Sequence, residues 1–449
     1  MTDTPLQRRH GRRLLRRRYG RRLLRTLLAA CLLGLAALGG GCSSGGDDTQ
    51  VVVLGPWTGP EGEAFEKVLR DLSPGSGHRY VYKGTRSLRE TLVAQLAADA
   101  PPDVAILNSI GELTEYAARD KLKPLDPSTA ERAYAPWSPT LMVDGRRRTY
   151  WVPLKVDLKS LMWSRTNSSG AKPRWCVGMA AQATSGWPGT DWVEDILLHQ
   201  AGPTTYTQWA TGQLDWAKSP AVRRAFKTWA GLLETGGSRS PTAVERSLTM
   251  SFWGTTDPRN PDGDPRGLLG GSLPGCTHEH QASFVRFVYA PRSDIRVEPA
   301  ARFLKGSAAH RNAFEVSGDM AAVLTDNPGA QELVKRLTSE EGREQWSSAA
   351  RPHLRPFFPD RSDPRPEDNA AAQEIASYLT DDANRLCFDA SDVMPPVLRD
   401  AFYRAVLKYF GHPTEPTLKK LLTQLETVRA QIASPTTPTT IRPPTDICS

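Results

Sequence analysis

The chain has 449 residues, enough for two or three ordinary domains or for one large protein folded as two lobes. Its formal charge of +8 looks basic, but residues 1–25 hold ten arginines against the single acid Asp3, so the leader carries +9 and the remainder about −1 (8 − 9). A near-neutral body excludes the extended basic face that nucleic acid requires, and no nucleic-acid partner is expected.

In chain order, the arginine-rich stretch is followed by LLAACLLGLAAL (27–38), then GGGC, then the polar linker SSGGDD. Twelve apolar residues fall short of the about 20 that a membrane-spanning helix needs, and they suit the apolar part of a secretory signal. The order resembles a bacterial lipoprotein signal, in which the cysteine after the apolar run becomes the lipidated first residue of the exported chain. That residue is Cys42 here, although Gly39 stands three before it, where such signals usually carry a branched apolar residue. Residues 1–41 therefore read as signal peptide and 42–50 as linker. The paired arginines are compatible with either the general or the twin-arginine export route.

Export changes how the cysteines read. Of six, Cys31 leaves with the leader and Cys42 takes the lipid, so Cys176, Cys276, Cys387 and Cys448 enter an oxidising compartment. Four cysteines allow three connectivities. The pairing of Cys176 with Cys276 and of Cys387 with Cys448 is favoured, because the second bond would pin the Pro- and Thr-rich tail (434–449) back onto the body.

After the linker, strand and helix signals alternate. VVVLG precedes EGEAFEKVLRDL, whose Ala64, Phe65, Val68 and Leu69 recur at helical spacing; YVYKG precedes SLRETLVAQLAAD, and DVAIL precedes GELTEYAARD. Strands alternating with helices of this length predict a parallel sheet, and such sheets bind ligands at the carboxyl ends of their strands. Those ends are GPWTGPE, GTR and NSIG. Further on, helical patterns cover 191–234, 326–350 and 395–433, with a Gly- and Pro-rich stretch up to Cys276.

SGWPGTDWVED (185–195) is dense in shape and charge. Asp191 followed by Glu194 has the form of a capping box, which predicts a helix starting at Asp191, with Asp195 exposed and a stop at Gly202 and Pro203. Two acids on one helical turn do not face each other across a substrate at the about 5–10 Å of a glycosidase pair. Trp187 is expected in a loop just before that helix, where free backbone NH groups and a flat indole suit a sugar ring.

Rival chemistry is thin. Cys276, His278 and His280 in CTHEHQ could corner a zinc ion, but such a site needs a further ligand at a suitable spacing and Cys276 is expected in a disulfide, so no metal is expected. GCSSG (41–45) matches a nucleophile elbow in letters only, with no strand before it and no helix after it. Neither a P-loop lysine pattern nor HExxH occurs, so no cofactor is expected.

Taken together, VVVLGPWTGPEGEAFEKVL, GTRSL, PPDVAILNSIGELTEYAARDKLKPLD, TYWVPLKVDLKSLMWS, WCVGMAAQATSGWPGTDWVEDILL, CTHEHQASF, GDMAAVLTDNPGAQELVKRLTSEEGREQW and FDASDVMPP resemble the extracellular solute-binding proteins of ABC importers. The likeness is to the carbohydrate-binding, maltose-binding-protein-like group, and it runs collinearly over nearly the whole exported chain. It implies an α/β, two-lobed periplasmic-binding-protein-like fold of type II, each lobe a mostly parallel sheet flanked by helices, with crossings near Leu154–Ser160 and residues 312 and 350. The lobes would comprise 51–156 plus 313–350 and 157–312 plus 351–433.

The resemblance also implies a ligand set. Asp157 matches a crossing-segment acid that accepts sugar hydroxyls; Trp57, Thr58, Arg86 and Asn108 end the first three strands; Trp187 and Phe284 would stack from the second lobe. The function expected is a non-enzymatic, lipid-anchored monomeric receptor on the outer face of the cell membrane, delivering an oligosaccharide or glucoside to permease subunits. The alternatives are a secreted glycoside hydrolase, or a receptor of the same fold for a non-sugar solute or a sensor.

Overall fold

The computed structural model describes residues 49–449 apart from 144, 169–171, 238, 257, 260–263, 274, 290–293, 361–368 and 434–443. The signal peptide, Cys42 and most of the Pro- and Thr-rich tail lie outside the described residues. Thr49–Ser449 forms one compact unit, an α/β protein of two lobes.

The first lobe follows the alternation in the sequence. β1 (Thr49–Gly55) leads to α1 (Gly59–Leu72), β2 (His78–Gly84) to α2 (Leu88–Ala97), and β3 (Val104–Leu107) to α3 (Ile110–Ala118). α1 buries Phe65, Val68, Leu69 and Leu72 on one face. Ser109 caps α3 by accepting the Glu112 N–H. A hairpin of β4 (Leu141–Val143) and β5 (Arg146–Arg148) then feeds β6 (Trp151–Leu158).

β6 runs straight into β7 (Leu161–Arg165), which lies between β8 (His278–His280) and β9 (Ile295–Pro299) in the second lobe. Both neighbours are antiparallel to β7, which departs from the expected mostly parallel sheet in this lobe. The regular strand–helix alternation that signals parallel pairing stops with the first lobe, since a long, mainly helical stretch containing Trp187–Ala210 and Pro220–Thr235 separates β7 from β8.

Two long helices, α4 (Trp187–Ala210) and α5 (Pro220–Thr235), carry the second lobe's core. Trp209, Trp216, Phe226 and Trp229, all fully buried, pack here against Phe402, Tyr409 and Phe410 of the later helix Pro396–Gly411. α4 breaks at Gly202, whose φ of 81° is costly for any residue with a Cβ. The capping box is corrected here. Gly186, not Asp191, precedes the helix, so Asp191, Glu194 and Asp195 lie inside it and are all buried. Pro188 in the first turn and Gly186 at positive φ start the helix four residues earlier than the side-chain signature indicated.

β10 (Ala313–Val323) returns through both lobes. Its first residues pair in parallel with β11 (Arg385–Phe388), its last pair antiparallel with β3, and β6 pairs with it along 316–322. The full order is β11-β10-β3-β1-β2, with β6 also on β10. A bulge falls between Asp319 and Met320. α6 (Pro328–Leu337) and α7 (Glu340–Ala349) cover the first lobe; α8 (Ala390–Val393), α9 (Pro396–Gly411) and α10 (Glu415–Ile432) close the second.

Both disulfides take the favoured pairing, Cys176–Cys276 and Cys387–Cys448. The second pins the terminal segment to β11, where Phe388 N–H donates to Ile447 O (2.7 Å) and Ile447 is fully buried.

Candidate functional site

The strand pair that links the lobes carries alternating charge. Lys155 and Asp157 share one face of β6, and cross-strand pairing sets Lys155 opposite Asp319 and Asp157 opposite Ser317. Lys155 Nζ lies 3.4 Å from Asp319 and contacts Glu61 in the first turn of α1. It also sits 5.2 Å above the Trp57 ring. Two carboxylates, Glu61 and Asp319, therefore meet one ammonium at the junction, with Asp157 on the same strand face.

Asp157 accepts a 2.6 Å hydrogen bond from the Ser283 hydroxyl. Burial pushes its carboxyl up to about 6, against the opposing pull of Lys155 and of the Ser283 bond. Its neighbour in the sequence after Ser283, Phe284, is half-buried and opens an aromatic wall. Trp187 lies 6.1 Å from Phe284 and 4.8 Å from Phe252, Trp253 lies 5.2 Å from Phe284, and Phe287 follows at 6.2 Å from Trp253. His353 stacks beyond Phe287 at 6.0 Å. All six rings are half-buried, so each keeps part of its face open.

Behind Trp187 lies a dry ionic cluster. Lys159 Nζ is 5.7 Å from the Trp187 ring centroid, 2.9 Å from Asp191 and 3.7 Å from Glu315, and it bonds Asp389. Burial and neighbouring carboxylates hold Glu194 and Glu315 well above the usual carboxylate range. Burial opposes ionisation of Asp389 as well, yet Lys159 and hydrogen bonds from Glu194 and the Asp392 N–H keep it below that range. One turn further along α4, Asp195, expected at the surface, is instead fully buried. It takes bonds from Ser160 (2.5 Å) and His280 (2.9 Å), with His199 at 3.2 Å.

The seven expected ligand residues fall into three places. Asp157, Trp187 and Phe284 come together as described. Thr58 and Arg86 meet at 3.4 Å on the open rim of the first lobe. Asn108 is exposed, and its amide donates to Asp392 across the lobes at 3.3 Å. Trp57 is packed rather than open: it is 4% exposed, wedged at 4.8 Å against Phe65 and 5.0 Å against Trp346, with its indole N–H on Asp319. It positions the junction carboxylate from behind. The sequence reading passed over Lys155, Asp319, Glu61, Phe252, Trp253, Phe287 and His353. KVDLK shows period-two charge and SFWG adjacent rings, which were the available signals.

Residues 57–256 match the family model described as bacterial extracellular solute-binding protein. The chain is similar to that family over this stretch. Among relatives, it is 26% identical over 401 residues to the α-glucosides-binding periplasmic protein AglE of Rhizobium meliloti, covering 80% of this chain and 83% of AglE. It is likewise 26% identical over 426 residues to the osmoprotective compounds-binding protein GgtB of Synechocystis, covering 86% and 94%. Solved structures share the fold at low identity. The bacterial solute receptor AcbH superposes with a TM-score of 0.63 at 12% identity, over 86% of this chain and all of that one. A chitin oligosaccharide binding protein gives 0.61 at 14%, over 86% and 99%.

Proposed function

We propose that this protein is the carbohydrate receptor of an ABC importer, tethered by lipid at Cys42 and handing its sugar to permease subunits without chemistry of its own. The observation that carries this reading is the pairing of a half-open aromatic wall, Trp187 with Phe252, Trp253 and Phe284, with carboxylates Asp157 and Asp319 on the linking strands. Sugars present CH groups on their faces and hydroxyls at their edges, so rings below and acceptors beside them fit that class. Thr58 and Arg86 add polar groups from the opposite rim. The lobes divide as 51–156 with 313–350 and 157–312 with 351–433, a division supported by β10 exchanging β11 for β3 along its length.

Calorimetry and thermal melts against a panel beginning with α-glucosides, then other oligosaccharides and compatible solutes, test the reading, with product assayed in parallel. Saturable binding without turnover is expected. Trp187→Ala should weaken it roughly tenfold to a hundredfold, the scale of about 1–3 kcal/mol for one large apolar contact. Sugar turnover would replace the receptor by a hydrolase, and binding confined to non-sugar solutes would remove the carbohydrate assignment.

A further inference from the structure

Asp157 stands beside the aromatic wall with one oxygen committed and one open. The Ser283 hydroxyl accepts the Leu158 N–H (3.1 Å), so its single proton is left for Asp157 Oδ1, which it meets at 2.6 Å. That oxygen is held as an acceptor by geometry alone. Among the described residues none bonds Oδ2, and the side chain is half-buried, which leaves this oxygen for a ligand. Only the ionised carboxylate keeps both oxygens free of a proton.

The charges around Asp157 are few, and each has its place. Lys155 lies two residues earlier on the same face of β6, about 7 Å along the strand, and its side chain is 12% exposed. Its ammonium is held between Glu61, in the first turn of α1, and Asp319, with the Trp57 ring on a third side; the Trp57 indole N–H fixes Asp319 in turn at 3.1 Å. Lys159, two residues after Asp157, is taken up by Asp191 and Asp389. Arg286, on the turn that carries Ser283, lies 4.5 Å from the Phe357 ring and donates to Arg355 O. Burial is the largest influence on Asp157 and opposes its charge; Lys155 and the Ser283 bond favour that charge, and Asp319 and Glu61 oppose it.

We propose that Lys155 is a positioning residue of the ligand site: its own donors are engaged inside the protein, and its ammonium keeps Asp157 ready as an acceptor for sugar hydroxyls. The inference rests on the reading of Asp157 as a ligand residue. Glu61 and Asp319 set how much of that ammonium's field reaches Asp157, because each carboxylate held against Nζ offsets part of it. A unit charge about 7 Å away in a half-open site moves a carboxyl by about one pH unit. Without Lys155 the pH at which Asp157 ionises therefore rises, and without the charge of Glu61 it falls.

The test follows the carboxyl itself by NMR in protein carrying isotope-labelled aspartate, the Asp157 signal being identified by its loss in Asp157→Asn. Lys155→Met should move its midpoint up from about 6 by about one pH unit, Lys155→Arg should bring back most of that shift, and Glu61→Gln should move the midpoint down by about half a unit. In calorimetry with maltose, or the panel sugar that binds in its place, Lys155→Met should bind about fivefold more weakly than the parent at about pH 6 and recover most of that loss by about pH 8. A merely structural loss would neither recover with pH nor reverse its sign in Glu61→Gln. Unmoved midpoints, shifts of the same sign in both variants, or an affinity that ignores a moved midpoint would each overturn the proposal. If Lys155→Met does not fold, the downward shift in Glu61→Gln decides alone. Midpoints displaced in opposite directions in a protein that binds no sugar of the panel would support the hold of Lys155 on Asp157 and remove the carbohydrate assignment instead.

Discussion

Lys159 offers the sharpest test of how the second lobe is held together. Replacing it by Met keeps the length of the side chain but removes the ammonium that faces Asp191 at 2.9 Å and bonds Asp389. At an effective dielectric near 20, a single charge pair 4 Å apart is worth about 4 kcal/mol, and these contacts are closer. Because the lysine's own desolvation cost disappears with it, the net loss settles at about 3–5 kcal/mol, the range for stranding a buried carboxylate. Over the unit Thr49–Ser449 an unfolding entropy of about 2.1 cal/mol/K per residue converts that loss to a fall of about 4–6 °C in Tm. The deficit should depend on pH in a definite sense. Without Lys159, the folded pKa of Asp389 rises above the unfolded value of about 3.9, and that of Asp191, which burial already holds at about 6, rises further. The variant's stability is then fully present below the unfolded value and is lost as pH rises through the folded values. Melts of parent and variant should nearly coincide at about pH 4 and separate fully at about pH 7.5. A Lys159→Met protein that melts with the parent at both pH values would refute the view that this ammonium neutralises the cluster.

Asp157, held up at about 6 by burial, must be ionised to accept two sugar hydroxyls, so affinity should rise about tenfold between about pH 5 and 7.5, and titration calorimetry of Asp157→Asn should show a flat, weaker profile. Glu279 is fully buried beneath the Tyr289 hydroxyl at 2.5 Å, and burial lifts its carboxyl to about 8. Its folded pKa lies above the unfolded value, so the stability tied to it is complete below about pH 4 and fades as pH rises through about 8. Glu279→Gln should flatten that decline and gain on the order of 3 kcal/mol at alkaline pH, measured by urea titration. Arg399 joins the lobes, bonding Glu112 at 2.5 Å beside Asp392, while Arg89 holds Asp400 at 2.9 Å. Arg399→Met should lower stability by about 3 kcal/mol and shift sugar affinity without touching ligand, while Arg399→Lys should recover part of both; an unchanged urea midpoint would show that the seam carries no energy.

The first lobe was readable from the chain because strand and helix alternate there with matching apolar periods, and each unit folds on its own neighbours. Both disulfide partners were readable for a similar reason, since export and an even count leave few pairings. The acids of SGWPGTDWVED were not. Asp191, Glu194 and Asp195 look like a solvated helix start in the sequence, because nothing local shows that Lys159, Glu315, Asp389 and His280, up to 198 residues away (389 − 191), converge on them. Trp57 misled in the opposite direction. A tryptophan after a strand in a Pro- and Gly-bounded turn has the look of a rim residue, but the long-range contacts to Trp346 and Asp319 draw it inward. Phe252 and Trp253 join the wall only because the Gly- and Pro-rich stretch that carries them folds back over α4, bridging Ser251 to Ala180.

The β6–β10 ribbon gives the two lobes a directional compliance. A pair of strands bonded along its length resists being stretched or sheared within its plane, but it bends and twists across its thin axis at small cost. The bulge at Asp319 breaks the ladder midway and places the softest point beside the Lys155 contact. Pulling the lobes apart along the strands would have to break several backbone bonds at once, whereas pushing them sideways meets mainly side-chain friction. A load that twists this protein would therefore work against a far weaker spring than one that tugs it.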